Sequence, residues 1–307
     1  KADVLELDGD PSGAIYIPMY YHSEYGSAER LKLLYNTPSK IVYRAKTIDW
    51  EAYLAELAKQ NEVTLTDKQQ GAVRGVLSNK VSVLTGGPGT GKTTTLQMVI
   101  NALDEEEFSY ALASPTGRAA KRLAEATGRE AKTIHRLLGW NPQGGGFEHD
   151  EDQPLDADVV VIDESSMLGL ILFYNLLKAL RPAAHLLLVG DVDQLPSVGA
   201  GNVLNDVIHS GIAHVTRLTQ IFRQEDDSHI ITNAHRINQG RMPITDNDSR
   251  DFFFFNMGEP DEAAELIVDL VDGRLAKKIA QLDPSFKLDP MRDVQVIAPM
   301  YRGAIGV

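Results

Sequence analysis

The run Gly86-Gly87-Pro88-Gly89-Thr90-Gly91-Lys92-Thr93 meets the GxxxxGK[ST] template at every required position. Glycines let a backbone curl until its N–H groups point inward, and the start of a helix adds unpaired donors and a favourable dipole. Such a cradle suits the phosphates of ATP. Lys92 would reach the β- and γ-phosphates and the Thr93 hydroxyl would ligate Mg²⁺, with Thr94 completing the nucleotide-contacting stretch. An ordinary Gly-rich turn is the competing reading. The position of Gly-Lys-Thr, where strand pattern gives way to helix pattern, weighs against it.

A second chemical centre is Asp163-Glu164, directly after the apolar run Val159-Val160-Val161-Ile162. Carboxylates at the carboxyl end of a buried strand sit where open α/β sheets bind ligands. Asp163 is expected to hold Mg²⁺ through water, and Glu164 to polarise the attacking water. A third polar cluster, Gly190-Asp191-Val192-Asp193-Gln194-Leu195-Pro196, follows another apolar run. Gln194 is placed to sense the γ-phosphate or the water, so the site can tell triphosphate from diphosphate. A solvated turn is the plain alternative for both carboxylates and for Gln194.

The elements that must position these groups are legible as alternation. Short apolar runs at 81–84, 110–113, 159–162 and 186–189 read as parallel strands covered on both faces. Helical patterns follow at 92–103, 118–127, 170–180, 202–210 and 228–238. The alternation predicts an α/β fold with a parallel sheet and helices on both sides. Residues 1–60 read as a small accessory region, 61–245 as the nucleotide-binding domain and 246–307 as the start of a further α/β unit, with strands at 252–255 and 294–297 and a helix over 260–275. A βαβ start without a finished sheet would leave apolar edges bare. The natural protein is therefore expected to continue.

Composition narrows the class. With 43% hydrophobic and 24% charged residues the chain is that of a soluble globular protein, and without cysteine it uses neither disulfides nor thiolate metal sites. A cytoplasmic location without membrane association is expected. The net charge of −13 lowers the expectation of a nucleic-acid partner. The acidic runs at 104–107, 148–152 and 225–227 are local, however, and read as solvated surface.

The motifs taken together resemble a family. The phosphate loop, Ser114-Pro115-Thr116-Gly117-Arg118, Thr133-Ile134-His135-Arg136, Asp163-Glu164-Ser165-Ser166-Met167 and residues 190–196 occur in the order found in superfamily 1 DNA helicases. More narrowly, the chain resembles the RecD-type helicases, related to a motor subunit of bacterial exonuclease V. The resemblance implies a RecA-like P-loop NTPase core. It makes Gln69, in Leu65-Thr66-Asp67-Lys68-Gln69, a reader of the adenine edge, with a surface Gln at a helix start as the competing account. It makes Arg223 an arginine finger on the γ-phosphoryl group, with Phe222 near the base. It also lines a single-strand groove with Pro115, Thr116, Arg118, Thr133, His135, Val198 and Gly199, contacts that suit phosphate and sugar without reading sequence.

Residues 141–156, rich in Gly and Pro, fall where relatives carry a hairpin against the duplex junction; a surface loop is the alternative. Residues 297–307 resemble the beginning of a second motor domain. The implied activity is ATP-driven, sequence-tolerant movement on single-stranded DNA and duplex junctions, 5′ to 3′, in recombination or repair, with recombination or nuclease subunits as partners. Most of the second motor domain is missing from these residues, so the fragment is expected to bind ATP, hydrolyse it poorly and not unwind. An RNA helicase of the same superfamily and an ATP-switched nucleic-acid-binding protein are the rival functions.

Overall fold

A computed structural model of the chain describes residues 5–6, 15–197, 199–220, 228–298, 301–303 and 306. The chain divides into two compact units, Lys1–Gln224 and Glu225–Val307.

The first unit is built on a six-stranded, all-parallel sheet. Its strands are β1 (Val81–Gly86), β2 (Tyr110–Ser114), β3 (Ala131–Thr133), β4 (Val159–Ile162), β5 (His185–Gly190) and β6 (His214–Leu218), in the order β6-β1-β5-β4-β2-β3. The α/β expectation holds. The four apolar runs at 81–84, 110–113, 159–162 and 186–189 are strands, and they occupy the sheet interior. β3 and β6 lie at the two edges and carry polar residues, which hides them from a search for apolar runs.

Strand periodicity divides the core into two layers. Val159, Val161, Leu187 and Val189 face one layer; Val160, Ile162, Leu186 and Leu188 face the other. The first layer is closed by α2 (Lys40–Ala45), α3 (Trp50–Gln60), α4 (Asp67–Ser78), α5 (Lys92–Glu105) and α6 (Gly117–Thr127). The second is closed by α1 (Pro18–Asn36), α7 (Ile134–Leu137), α8 (Leu170–Lys178) and α9 (Val203–His209). Residues 1–60 thus lie within the first unit: Leu31 and Leu34 of α1 enter one layer, Ile41, Leu54 and Leu57 the other. Two acidic runs are partly neutralised. Glu106 pairs with Arg44, Asp104 with Arg129 at 2.8 Å, and Glu151 with Arg30.

In the second unit, α10 (His229–Asn238) is followed by α11 (Pro260–Asp269), which runs through a π turn at Leu270–Arg274 into α12 (Leu275–Leu282), and then by the short α13 (Pro290–Asp293). The helix at 228–238, grouped by sequence with the nucleotide-binding domain, falls in this unit. Residues 252–255 and 294–297 are not strands. A strand exists by its ladder, and among the described residues neither run has another to pair with.

Candidate nucleotide site

The site lies at the carboxyl ends of β1, β4 and β5. β1 is buried along most of its length and delivers the loop 86–91, after which α5 begins at Lys92. Gly91 is the N-cap at φ 85°, a left-handed conformation open to glycine at little cost. It supplies no capping side chain, so the first N–H groups of α5 have no side-chain acceptor. Lys92 Nζ donates to the carbonyls of Gly86 at 2.5 Å and Gly87 at 3.0 Å, which holds the ammonium at the mouth of the loop. A cleft of about 540 Å³ opens here, lined by Gly87, Gly89, Thr90, Gly91, Lys92, Thr93 and Thr94 together with Val63, Thr64 and Gln69. Donors without partners, a lysine and roughly one ligand's volume make it an anion cradle.

β4 places Asp163 and Glu164 beside this loop. Burial pushes the Asp163 carboxyl up to about 6; the Glu164 carboxylate adds to the rise, while the Glu164 backbone N–H and the Lys92 charge oppose it. A buried carboxylate that resists ionisation is well served by a cation. Among the described residues no group of three or more His, Cys, Asp or Glu side chains forms a metal cage. Mg²⁺ needs no such cage, since it keeps several waters and shares its shell with substrate phosphates.

Glu164 adopts φ 53° and ψ 40°, a strained conformation for a residue with a side chain. The short 3₁₀ turn that follows, Ser165–Met167, is pinned by the Ser165 hydroxyl, which is fully buried and donates to the Val189 carbonyl at 2.8 Å. Gly190 permits this approach, because a Cβ there would stand 2.8 Å from Ser165 Oγ and 3.1 Å from Ser166 N. Ser166 Oγ lies 3.5 Å from Gln194 Oε1, so the acidic motif and the Gln194 loop are neighbours. Sequence reading missed Ser165 as the anchor, because no spacing rule relates it to Val189.

Gln69 is buried and lines the same cleft. It also completes a capping box with Thr66 at the start of α4, so the functional and helix-start readings describe one side chain. Lys68 Nζ donates to Thr219 Oγ1 at 2.6 Å, and a second cavity of about 220 Å³ runs between them past Thr90 to Gln220. Sequence reading missed Lys68, although it stands within the quoted motif. Phe222, Arg223 and Val198 lie outside the described residues.

Of the residues expected in a strand groove, Pro115, Thr116, Arg118, Thr133 and His135 lie at or just after the ends of β2 and β3, which are neighbours at one side of the sheet. Pro115 and Thr116 follow β2, and Thr133 closes β3 opposite Ser114. The hydroxyls of Thr116 and Thr133 accept from Ala119 N at 3.3 Å and Arg136 N at 3.2 Å, so both also cap helices. Arg118 is exposed, and Lys121 pairs with Glu125 at 3.8 Å. The exposed His135 ring lies against Trp140 and Phe147, at 6.3 and 5.9 Å, on the hairpin that pairs Trp140–Asn141 with Gly146–Phe147. Gly199 is exposed, and its carbonyl accepts from Ser197 Oγ at 3.1 Å.

The AAA domain family matches residues 69–200, from Gln69 through the Gln194 loop. The chain is 36% identical over 297 residues to the ATP-dependent RecD2 DNA helicase of Deinococcus radiodurans, covering 96% of this chain and 37% of that protein. It is 46% identical over 165 residues to the RecBCD enzyme subunit RecD of Mycobacterium tuberculosis, covering 46% of this chain and 28% of that one. The chain thus spans about a third of the length of these curated relatives. A solved Pif1 helicase from Candida albicans aligns with a TM-score of 0.46 at 22% identity, over 67% of this chain and 55% of that one, a likeness too distant to argue from. Among the described residues no helix is long and apolar enough to cross a membrane.

Proposed function

The chain belongs to the RecD-type family of superfamily 1, and on that premise we propose that it is the nucleotide-binding motor portion of an ATP-dependent DNA helicase that travels 5′ to 3′ on single-stranded DNA. The observation that carries this reading is the cleft of about 540 Å³ where the phosphate loop, the uncapped start of α5 and Gln69 converge. Lys92 and the loop amides bind the phosphates. Thr93 and Asp163 would hold Mg²⁺, which would supply positive charge against the triphosphate. Glu164 takes the proton of the attacking water, and Gln194 senses whether the γ-phosphate is present. Arg223 stabilises the charge that develops on that group.

The strand contacts of this reading are Pro115, Thr116, Arg118, Thr133, His135, Val198 and Gly199. β2 and β3 end beside one another, which supports a continuous, sequence-tolerant track. Residues 246–307 begin the second motor domain of the reading. Loss of the γ-phosphate loosens the clamp between domains, and alternating grip on the strand turns that change into movement. Work in recombination or repair, beside recombination or nuclease subunits, is the setting suggested by relatives named as RecBCD subunits.

Tailed duplexes and the complete protein test the reading together. Unwinding from a 5′ tail and not a 3′ tail is expected, stimulated by DNA over RNA. Glu164→Gln should keep ATP binding and lower turnover by about 10²-fold or more. Unchanged turnover would remove Glu164 from its role and favour an ATP-switched binding protein.

A further inference from the structure

Ser114 closes β2 with a hydroxyl that has no protein partner among the described residues. A buried hydroxyl without a partner costs free energy, and native proteins keep few of them. At 0% exposure it is closed to the DNA strand that Pro115 and Thr116 are proposed to meet. Register shows what lies beside it. β2 and β4 pair in parallel, Leu112 with Val161 and Ala113 with Ile162, and the Asp163 N–H continues the ladder by donating to the Ala113 carbonyl at 2.9 Å. Ser114 and Asp163 are therefore the next pair along. Leu112 and Val161 enter one core layer, Ala113 and Ile162 the other, so Ser114 and Asp163 both turn toward the first. That is the layer of α5, which begins at Lys92.

The two groups are chemically complementary. An ionised carboxylate only accepts, a serine hydroxyl has one proton to give, and among the described residues no side-chain donor reaches Asp163. Neighbouring strands run about 4.8 Å apart, a gap that rotation of a serine about χ1 spans. Carboxylates that serve a metal are themselves hydrogen-bonded, which fixes the oxygen that faces the ion. We propose that Ser114 is a positioning residue for the magnesium site: its hydroxyl donates to one Asp163 oxygen and leaves the other for the ion's shell. The inference rests on the nucleotide-binding reading above and adds a residue to its metal side.

The test follows binding of a non-hydrolysable ATP analogue to the complete protein, in EDTA and across a Mg²⁺ titration. Ser114→Ala is expected to bind the analogue as the wild type does in EDTA, and to need about 10–100-fold more free Mg²⁺ for half of the metal's effect. Without nucleotide its urea midpoint should stay level or rise, because alanine fits the space and removes an unpaired polar group. Ser114→Cys, similar in size but a weaker donor, should fall between Ser114→Ala and the wild type in its Mg²⁺ requirement. An unmoved Mg²⁺ requirement in Ser114→Ala overturns the proposal. So does a lowered urea midpoint without nucleotide, which would give the hydroxyl a structural partner such as a buried water. Failure of the wild type to bind the analogue, or to respond to Mg²⁺, would instead overturn the reading on which the proposal rests.

Discussion

The two compact units draw on similar sequence signals, apolar runs and amphipathic helices, yet only one makes a core. In Lys1–Gln224 the inner strands are buried on both faces, and every buried hydrophobic side chain among the described residues lies between Leu31 and Leu218. In Glu225–Val307 the described residues that are buried are Ser228 and Asn233, both polar. Phe253, Phe254 and Phe255 are 53%, 44% and 45% exposed. Local polar geometry organises this unit instead. The Asn233 side chain both donates to the Ile244 carbonyl at 2.9 Å and accepts from its N–H at 2.7 Å. Asn247 does the same with Phe254, at 2.9 and 2.6 Å. Apolar residues become a core when a sheet gives them two faces to pack against; a side-chain amide folds a loop but buries little area.

The largest expected effect follows directly. Leu187 on β5 is fully buried, and Leu187→Ala should cost about 2–5 kcal/mol through lost contacts and an unfilled cavity. Ile267 on α11 is 37% exposed, and Ile267→Ala should cost no more than about 0.5 kcal/mol. Equilibrium urea denaturation of the two variants measures both. A loss at Ile267 comparable with that at Leu187 would give the second unit a core and end the contrast.

How legible each unit was in the sequence follows from the same physics. The four inner strands were readable because burial on both faces demands unbroken apolar runs. Ala131-Lys132-Thr133 and His214-Val215-Thr216-Arg217-Leu218 were not, because edge strands tolerate polar residues. The phenylalanines at 252–255 mimic a buried strand, and sequence alone does not show whether a partner is available to pair with them. At the site, the phosphate loop and Asp163-Glu164 are contiguous motifs and could be read directly. The Thr66–Gln69 box follows a spacing rule, and both the ligand and the helix-start readings of Gln69 could be made from it. Contacts between distant segments, such as Ser165 with Val189 and Lys68 with Thr219, follow no rule of spacing.

The contrast sharpens with pH. His185 opens β5 and is 1% exposed. Its Nδ1–H donates to the Val76 carbonyl at 3.2 Å, and its Nε2 accepts from Ser39, the residue that caps α2. Burial pushes the imidazole down to about 4 from an ordinary value of 6.5; Lys80 adds to this, while the Val76 bond opposes it. The folded state then holds fewer protons than the unfolded chain in acid. The stabilisation is full above pH 6.5 and is lost as pH falls toward 4, about 3 kcal/mol in all. Unfolding free energies measured from pH 7.5 to 4.5 should show this slope in the wild type and a flatter one in His185→Asn. Equal slopes would mean that His185 is not the group that makes the first unit sensitive to acid.

The second unit should respond differently, because its titratable anchor is exposed. Hydrogen bonds from the Ser228 and Ser249 hydroxyls hold the Asp251 carboxyl down to about 2. A carboxyl whose folded value is depressed contributes stability above its ordinary value near 3.8 and loses it below, so this anchor should be indifferent across the range in which His185 titrates. Ser228 Oγ accepts from Ile231 N at 3.4 Å, and His229 N donates to Asp251 Oδ1 at 3.1 Å, so one serine and one aspartate start α10. Ser228→Ala removes the N-cap acceptor and one of the hydroxyls on Asp251. It should cost about 0.5–1 kcal/mol, seen as faster amide exchange in the first turn of α10 between pH 5 and 7. Unchanged exchange there would mean that α10 is held by packing, and that the second unit owes less to polar geometry than its exposed phenylalanines imply.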